Sequence, residues 1–271
     1  MINQKYYNLN PYIKEFKNAK PYPHIILEDF FTESFFKKIS IESELSDQAI
    51  KNVTFESIVE KNKTIHFYEN LNFVNETIKL LSEEKWINQL KLLTDIEDIS
   101  SDDINHNNLS NYHVMTKSGF LGSHVDTSVH NITKSKHILN IVIYLSNDWH
   151  SSYGGNTILY NYNGSKEIKK IDYFPNKALI FLHSPFTFHG VDKIIDNAEG
   201  RRKTFYIDYY SKMNNPYKSL NLSFPNYHFN HPTTFILPNK LDYFKKDNFK
   251  YLYSLVNYNF NKFLKRFSPN F

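Results

Sequence analysis

Two histidines and an aspartate are the side chains in this sequence best suited to bind a metal ion. His124-Val125-Asp126 is the only His-x-Asp or His-x-Glu tripeptide in the chain, although chance alone predicts about one such match. On a β-strand, residues two apart point to the same face, so this imidazole and carboxylate can share one ion. A further histidine from a second strand would complete a facial triad, which suits non-haem Fe(II) and leaves coordination positions open.

The candidate third ligand is His189, which follows the apolar run ALIFLHSPFTF. Three other histidines compete with it, because His183 lies on the same run and His130 and His137 flank the tripeptide. Each of these three can instead be a surface histidine or a core histidine with its hydrogen bonds satisfied.

The strand that follows His189 in the sequence favours it as the third ligand, and a further polar pair fits the same pocket. Arg202 opens a strand on which it shares one face with Thr204, and a guanidinium followed by a hydroxyl is a good clamp for a carboxylate. Asn140 and Tyr144 share one face of the strand HILNIVIYLS, whose other face is apolar. This polar face predicts a lined pocket, and a half-exposed strand remains the alternative.

The composition excludes several other classes of site. The chain has no cysteine, so a metal must rest on His, Asp and Glu, and thiolate nucleophiles and disulfides are excluded. A net charge of +4 is too mild to predict nucleic-acid binding. No signal peptide and no run of eighteen apolar residues is present, which predicts a cytoplasmic protein without a membrane span.

The pattern of elements predicts three regions. Residues 1–111 read as a mainly helical flank on the core, in which Thr32 caps a helix starting at Glu33. Residues 112–213 contain several short apolar strands, which favour a jelly-roll core, so the fold class is mainly β with helical flanks (α+β). Residues 214–271 form an aromatic-rich, helical extension that packs on the core or forms a homodimer contact; a membrane-surface helix is the alternative.

The ordered segments SGFLGSHVD, LNIVIYLSNDW, a Gly-Gly pair, PNKALIFLHSPFTFHGV and RRKTFYIDYY carry a family resemblance. Over about Met115 to Ser211 the chain resembles the Fe(II)/2-oxoglutarate-dependent oxygenases, in particular their prolyl-4-hydroxylase-like branch. The resemblance implies a double-stranded β-helix core. It also implies Fe(II) as cofactor, with 2-oxoglutarate and O₂ as co-substrates and ascorbate in a supporting role.

The resemblance also assigns roles to residues of this sequence. The implied iron ligands are His124, Asp126 and His189. Arg202 is implied to bind the far carboxylate of 2-oxoglutarate together with Tyr144, while Thr204 and Asn140 would line the co-substrate pocket.

Three positions qualify these assignments. Met115 stands where the family often has a tyrosine, and Arg201 leaves the position of the clamp uncertain by one residue. Asp208 stands where nucleic-acid dealkylases of the superfamily show a second arginine, which argues against a nucleic-acid substrate.

The implied activity is hydroxylation of an unactivated C–H bond in an amino acid, a peptide or a small biosynthetic intermediate, with release of succinate and CO₂. The alternative from the same jelly-roll inference is a cupin-like barrel that binds a sugar or a metal without redox chemistry.

Overall fold

The structure is a computed structural model that describes residues 1–44, 51–68, 71–101, 110–130, 132–222 and 232–237 and the isolated positions 253, 256 and 260. The α-helices are α1 (Ile13–Asn18), α2 (Glu33–Glu42), α3 (Asn72–Ser82) and α4 (Glu84–Thr94). Short 3₁₀ segments cover Gln4–Tyr6, Asn10–Tyr12, Ser151–Tyr153 and Lys218–Leu220. The strands are β1 (His24–Leu27), β2 (Lys51–Phe55), β3 (Glu60–Tyr68), β4 (Ser100–Ser101), β5 (Ser110–Val125), β6 (Lys136–Tyr144), β7 (Thr157–Tyr160), β8 (Glu167–Ile171), β9 (Ala178–Leu182), β10 (His189–Val191), β11 (Arg202–Ser211) and β12 (Thr234–Phe235).

The strands form one curled antiparallel sheet. Its main path runs β1-β9-β6-β11-β5-β10-β7-β8, with β3 and β12 paired to β5, β2 paired to β3, and β4 paired to β11. Neighbours along this path are mostly distant in sequence, as the crossing connections of a double-stranded β-helix require. The predicted fold class, mainly β with helical flanks around a jelly-roll core, is confirmed.

Strand β6 shows how the sheet separates two apolar layers. Leu139, Ile141 and Ile143 point outward and pack in the larger core with residues of all four helices. Val142 and Tyr144 point inward to the smaller cluster inside the curl. The alternation predicted for this strand is therefore confirmed, and its polar face is turned to the inside.

The N-terminal flank is helical as predicted, but it also adds strands to the sheet. Helix α2 begins at Glu33 with Thr32 as its N-cap residue, although the Thr32 side chain makes no capping hydrogen bond. The hairpin β2–β3 was not predicted, and β3 pairs with β5 from Glu60 to Tyr68. Its sequence is rich in lysine, asparagine and threonine, because much of the hairpin is only partly buried and lacks a continuous apolar face.

The C-terminal region contributes one strand to the sheet. Thr234 and Phe235 of β12 pair with Val125 and His124 of β5. The helix predicted after Pro238 lies almost entirely outside the described residues, and the three predicted domain boundaries stay predictions. In the part of the chain that is described, no helix combines the length and apolar character needed to cross a membrane.

Candidate active site

His124, Asp126 and His189 come together where β5 and β10 pair. His189 opens β10 directly opposite His124 in the antiparallel register, and Asp126 follows the last residue of β5. Directly opposed side chains on one sheet face are close enough to share a ligand. The Asp126 carboxylate oxygens lie 3.3 Å from His124 Nε2 and 3.3 Å from His189 Nε2, and one donor atom from each residue lies within 4.8 Å of the others.

Both histidines are oriented to present the same ring nitrogen. His124 Nδ1 lies 2.9 Å from the Gly122 carbonyl oxygen, and His189 Nδ1 lies 3.2 Å from the Thr187 carbonyl oxygen. An imidazole that donates from Nδ1 to a backbone carbonyl keeps the Nε2 lone pair for a metal ion. Two such nitrogens and one carboxylate match the ligand set of a non-haem Fe(II) site, so the residues present fit this ion.

The charge states of the triad also suit a divalent cation. Burial lowers the pKa of His124, and the neighbouring His189 lowers it further, which favours the neutral imidazole. Burial alone would raise the pKa of Asp126, but the neighbouring His189 and His124 hold it well below its usual range. Neutral imidazoles and an ionised carboxylate are the forms that bind metals.

Arg202 is a buried cation in the same cavity. Its Nε donates to the Gly155 carbonyl oxygen, and its Nη2 lies 3.4 Å from Thr157 Oγ1. The guanidinium carbon lies 4.9 Å from the ring centre of Tyr173 and 5.7 Å from that of Tyr144. No carboxylate of the described residues lies within ion-pair distance of Arg202, although it is only 3% exposed. A buried guanidinium without an anion is costly, and an anionic ligand would relieve that cost.

The Gly154-Gly155 pair allows the backbone to approach Arg202. Gly155 has a φ of +74°, and a Cβ atom there would lie 2.9 Å from Arg202 Cδ. A side chain at this position would therefore displace the guanidinium and strain the backbone.

The predicted clamp residues take distinct places. Arg202 is inside the cavity, whereas Arg201 lies on the surface with its Nη2 3.3 Å from a Glu44 carboxylate oxygen. Tyr144 lies beside Arg202 and donates a 2.7 Å hydrogen bond to Thr157 Oγ1. Thr204 pairs with Tyr144 across the two strands and lines the cavity.

Asn140 lies at the metal end of the cavity rather than beside Arg202. Its amide nitrogen donates to Asp126 Oδ2 over 3.2 Å, and its amide oxygen contacts His137 Nε2. The structure therefore places Asn140 where it orients the carboxylate of the triad.

The cavity that joins these groups has a volume of about 510 Å³. It is lined by the triad, by Arg202 and Thr204, and by Met115, which pairs with Arg202 on β5. A metal site and a cationic anchor in one cavity are what a metal-chelating dicarboxylate requires.

The family comparison agrees with this geometry. Residues 108–208 match the model described as the 2OG-Fe(II) oxygenase superfamily. Over these residues the chain is similar to this superfamily. It is a 2-oxoglutarate-dependent dioxygenase, with Fe(II) as its metal and 2-oxoglutarate as its co-substrate. No curated protein sequence matches the oxygenase.

Solved structures of low sequence identity share its fold. A prolyl-4-hydroxylase from Pseudomonas putida matches with a TM-score of 0.54 at 11% identity, over 76% of this chain and 99% of that one. A prolyl hydroxylase from Trichoplax adhaerens, in complex with a hypoxia inducible factor peptide fragment, matches with a TM-score of 0.50 at 15% identity, over 82% and 96%. The non-haem α-ketoglutarate-dependent epimerase SnoN from nogalamycin biosynthesis matches with a TM-score of 0.53 at 8% identity, over 75% and 82%. The expected likeness to the prolyl-hydroxylase branch is confirmed in the fold.

The histidines that competed for the third position are not part of the triad. His137 and His183 stack on each other with ring centres 3.8 Å apart, and both are buried. His130 accepts backbone hydrogen bonds from Ile132 and Thr133. These contacts indicate a structural role for the three histidines.

Three residues of the oxygenase site were not singled out in the sequence. Tyr173 stacks on Tyr144 with ring centres 4.7 Å apart, and Thr157 bridges Tyr144 and Arg202. Phe235 of β12 stacks on His124 with ring centres 5.0 Å apart. Tyrosine and phenylalanine together account for 43 of the 271 residues, so no local pattern distinguishes these aromatic positions.

Proposed function

We propose that the oxygenase hydroxylates an unactivated C–H bond of an amino acid, a peptide or a small biosynthetic intermediate, and releases succinate and CO₂. The observation that carries the proposal is the shared cavity, in which the triad and the buried Arg202 face the same space. The fold neighbours that are named as prolyl hydroxylases support a peptide or amino acid substrate.

His124, Asp126 and His189 would hold the ferrous ion through two Nε2 atoms and one carboxylate oxygen. Iron bound there would supply the activation of O₂, coupled to oxidative decarboxylation of 2-oxoglutarate. The carbonyl oxygens of Gly122 and Thr187 fix the two imidazole rings, and the Asn140 amide fixes Asp126. These contacts hold the ligands in place before the ion binds, which lowers the cost of assembling the site.

Arg202 would bind the far carboxylate of 2-oxoglutarate, and Tyr144 would support it with its hydroxyl. Burial lowers the pKa of Arg202, yet the ordinary pKa of arginine is so high that the guanidinium stays charged. Tyr144 and Tyr173 flank the guanidinium and shield the charge pair from water, which strengthens the attraction.

The test is succinate formation from 2-oxoglutarate with Fe(II), ascorbate and O₂, together with binding of 2-oxoglutarate under anaerobic conditions. Arg202→Gln should weaken 2-oxoglutarate binding by 100-fold or more, since removal of a buried partner of a charge pair costs about 3 kcal/mol or more. Arg201→Gln is the matched control, because it removes the same charge from the neighbouring surface position. Equal affinity in both variants would overturn the assignment of Arg202.

The non-redox barrel is not supported by a specific observation. Binding of a neutral sugar does not require a buried guanidinium in the same cavity as two imidazoles and a carboxylate. Cytoplasmic localisation and a homodimer through the C-terminal segment stay predictions.

A further inference from the structure

One face of β11 forms a wall along the whole cavity. Its side chains alternate in direction, and those that line the cavity include Arg202, Thr204, Tyr206, Asp208 and Tyr210. At about 3.3 Å per residue, Arg202 and Asp208 lie roughly 20 Å apart along the strand. The wall therefore carries a cation at one end and an anion at the other.

The Asp208 end lies next to the metal site. Asp208 pairs directly with Asn140 on β6, and Asn140 donates to the Asp126 carboxylate. A substrate that presents a C–H bond to the triad would reach this end of the cavity, since Arg202 occupies the other end.

The Asp208 carboxylate is weakly satisfied by the protein. Its Oδ1 is buried and has no hydrogen bond, and His137 Nε2 lies 3.5 Å away and closer to the Asn140 amide oxygen. Its Oδ2 receives a long 3.4 Å hydrogen bond from the Tyr210 hydroxyl. The Asp208 side chain as a whole is 23% exposed, and Oδ2 has this one long hydrogen bond. That oxygen is able to accept a further donor.

The charges of the cavity leave one oxygen of Asp208 available. The acidic side chains that line it in the described chain are Asp126, which belongs to the triad, and Asp208. Of the lining cations, Lys63 lies 3.3 Å from a Glu60 carboxylate oxygen and Arg202 faces the co-substrate end. The His137 imidazole faces Asp208, with Nε2 3.5 Å from Oδ1. Asp208 is thus the acid outside the triad, and its Oδ2 is the oxygen that His137 does not face.

The surroundings of Asp208 are those of a cation site. Tyr206 and Tyr210 stand on either side of it on the same strand face and also line the cavity. A carboxylate attracts an ammonium group through its charge, and the two tyrosine side chains add aromatic surface to the same wall.

We propose that the oxygenase takes a substrate with a primary amino group, bound by Asp208 between Tyr206 and Tyr210. This inference rests on the proposed function, because it places the substrate beside the triad. An ammonium group in hydrogen-bond contact with Oδ2 would be a closer partner than the imidazole of His137.

The experiment compares two probes that differ in charge. Full-length protein, loaded with Mn(II) and 2-oxoglutarate, is titrated calorimetrically with 1,5-diaminopentane and with 1,5-pentanediol. The wild type should bind the diamine at least 10-fold more tightly than the diol. Asp208→Asn should abolish this preference, whereas Asp208→Glu should retain it because the charge is kept.

The control variant is Asp196→Asn, which removes a carboxylate that is 71% exposed and outside the cavity, and it should bind both probes as the wild type does. The inference is overturned if the wild type binds the two probes equally or binds neither. It is also overturned if folded Asp208→Asn, with an unchanged thermal midpoint, keeps the preference. If Asp208→Asn fails to fold, folded Asp208→Glu is tested instead. Loss of the preference for the diamine in that variant overturns the inference.

A separate measurement of 2-oxoglutarate binding, and a diamine titration repeated with Mn(II) alone, distinguish this inference from the proposed function. A protein that binds 2-oxoglutarate but shows no preference for the diamine contradicts the amine subsite alone. A protein that prefers the diamine in an Asp208-dependent manner, yet does not bind 2-oxoglutarate, contradicts the proposed function and leaves the subsite standing.

Discussion

At the scale of single residues, the site is built from hydrogen bonds that fix the orientation of each ligand. His124 and His189 each direct Nδ1 at a backbone carbonyl oxygen, and Asp126 receives the amide of Asn140. Arg202 is held by the Gly155 carbonyl oxygen and by two aromatic rings. The functional side chains are thus positioned by contacts that are independent of any ligand.

Replacement of Asn140 by alanine should weaken metal binding. The variant removes the donor to Asp126 Oδ2, and loss of such an outer contact costs about 10- to 100-fold in metal affinity. Mn(II) binding followed by electron paramagnetic resonance measures this. Asn147→Ala is the control, because Asn147 donates to Ser40 instead; equal Mn(II) affinity in both variants would contradict the role of Asn140.

Tyr144 should support 2-oxoglutarate binding over a wide pH range. Burial raises the pKa of Tyr144 to about 12, although Arg202 and Thr157 partly offset this. A phenol is neutral below its pKa, so the hydroxyl should persist through the ordinary tyrosine value of 10.0. Tyr144→Phe should weaken 2-oxoglutarate binding by about 2- to 10-fold, the worth of one hydrogen bond.

The measurement is the affinity of wild type and Tyr144→Phe for 2-oxoglutarate at neutral pH and near pH 10. The ratio between the two proteins should stay constant. A ratio that falls to one at the higher pH would show that the hydroxyl has ionised, contrary to the burial of the side chain.

At the scale of elements, turns and edge strands bring the residues to their places. The Gly154-Gly155 turn lets the backbone approach Arg202, and β12 adds an aromatic ring to the strand that carries His124. Ile236 also donates its backbone N–H to the Ser123 carbonyl oxygen, so β12 is fixed on β5 by main-chain contacts. The turn and β12 can each be changed by substitutions that leave the three metal ligands in place.

Gly155→Ala should disrupt the co-substrate anchor. The new Cβ would lie 2.9 Å from Arg202 Cδ, so the guanidinium must move and 2-oxoglutarate affinity should fall by at least about 10-fold. Gly200→Ala is the matched control, because Gly200 also has a positive φ of +83° but its nearest neighbour is 3.6 Å away. The affinities for 2-oxoglutarate are measured by calorimetric titration. An equal loss of affinity in both variants would show that backbone strain alone is the cause.

Phe235→Ala should weaken metal binding several-fold. The stacked ring restricts the His124 imidazole and covers it from water, and the loss of an aromatic contact costs about 0.5–1.5 kcal/mol. Phe235→Tyr keeps an aromatic ring and should retain the wild-type Mn(II) affinity. Leu237→Ala is the control, since this side chain is 38% exposed, and it should not change the affinity. A Phe235→Ala protein with wild-type Mn(II) affinity would contradict the role of the ring.

At the scale of the whole molecule, the sequence predicts the fold class from local strand patterns, whereas it predicts the metal triad only together with the family resemblance. Period-two alternation marks β6 and β11, and His-x-Asp is a visible pair. The hairpin β2–β3 was not predicted, because its mixed polar sequence has no strand pattern and β3 is held by backbone pairing with β5. Tyr173 and Phe235 escaped because their contacts are set by packing between segments distant in sequence.

The placement of Asn140 shows the same limit. A strand pattern predicts which face a side chain is on, but the position along the cavity depends on the register with neighbouring strands. Here β6 is paired so that Tyr144 lies at the Arg202 end and Asn140 lies at the Asp126 end.

The most direct test of the account is an anaerobic titration of Fe(II)-loaded protein with 2-oxoglutarate, followed by visible absorption. Wild type should develop the weak metal-to-ligand charge-transfer band of a 2-oxoglutarate chelate, and Asp126→Ala, which loses a ligand but keeps the surrounding sheet, should not. Absence of the band in the wild type, or a band of equal intensity in Asp126→Ala, would contradict the assignment of His124, Asp126 and His189 as the iron site.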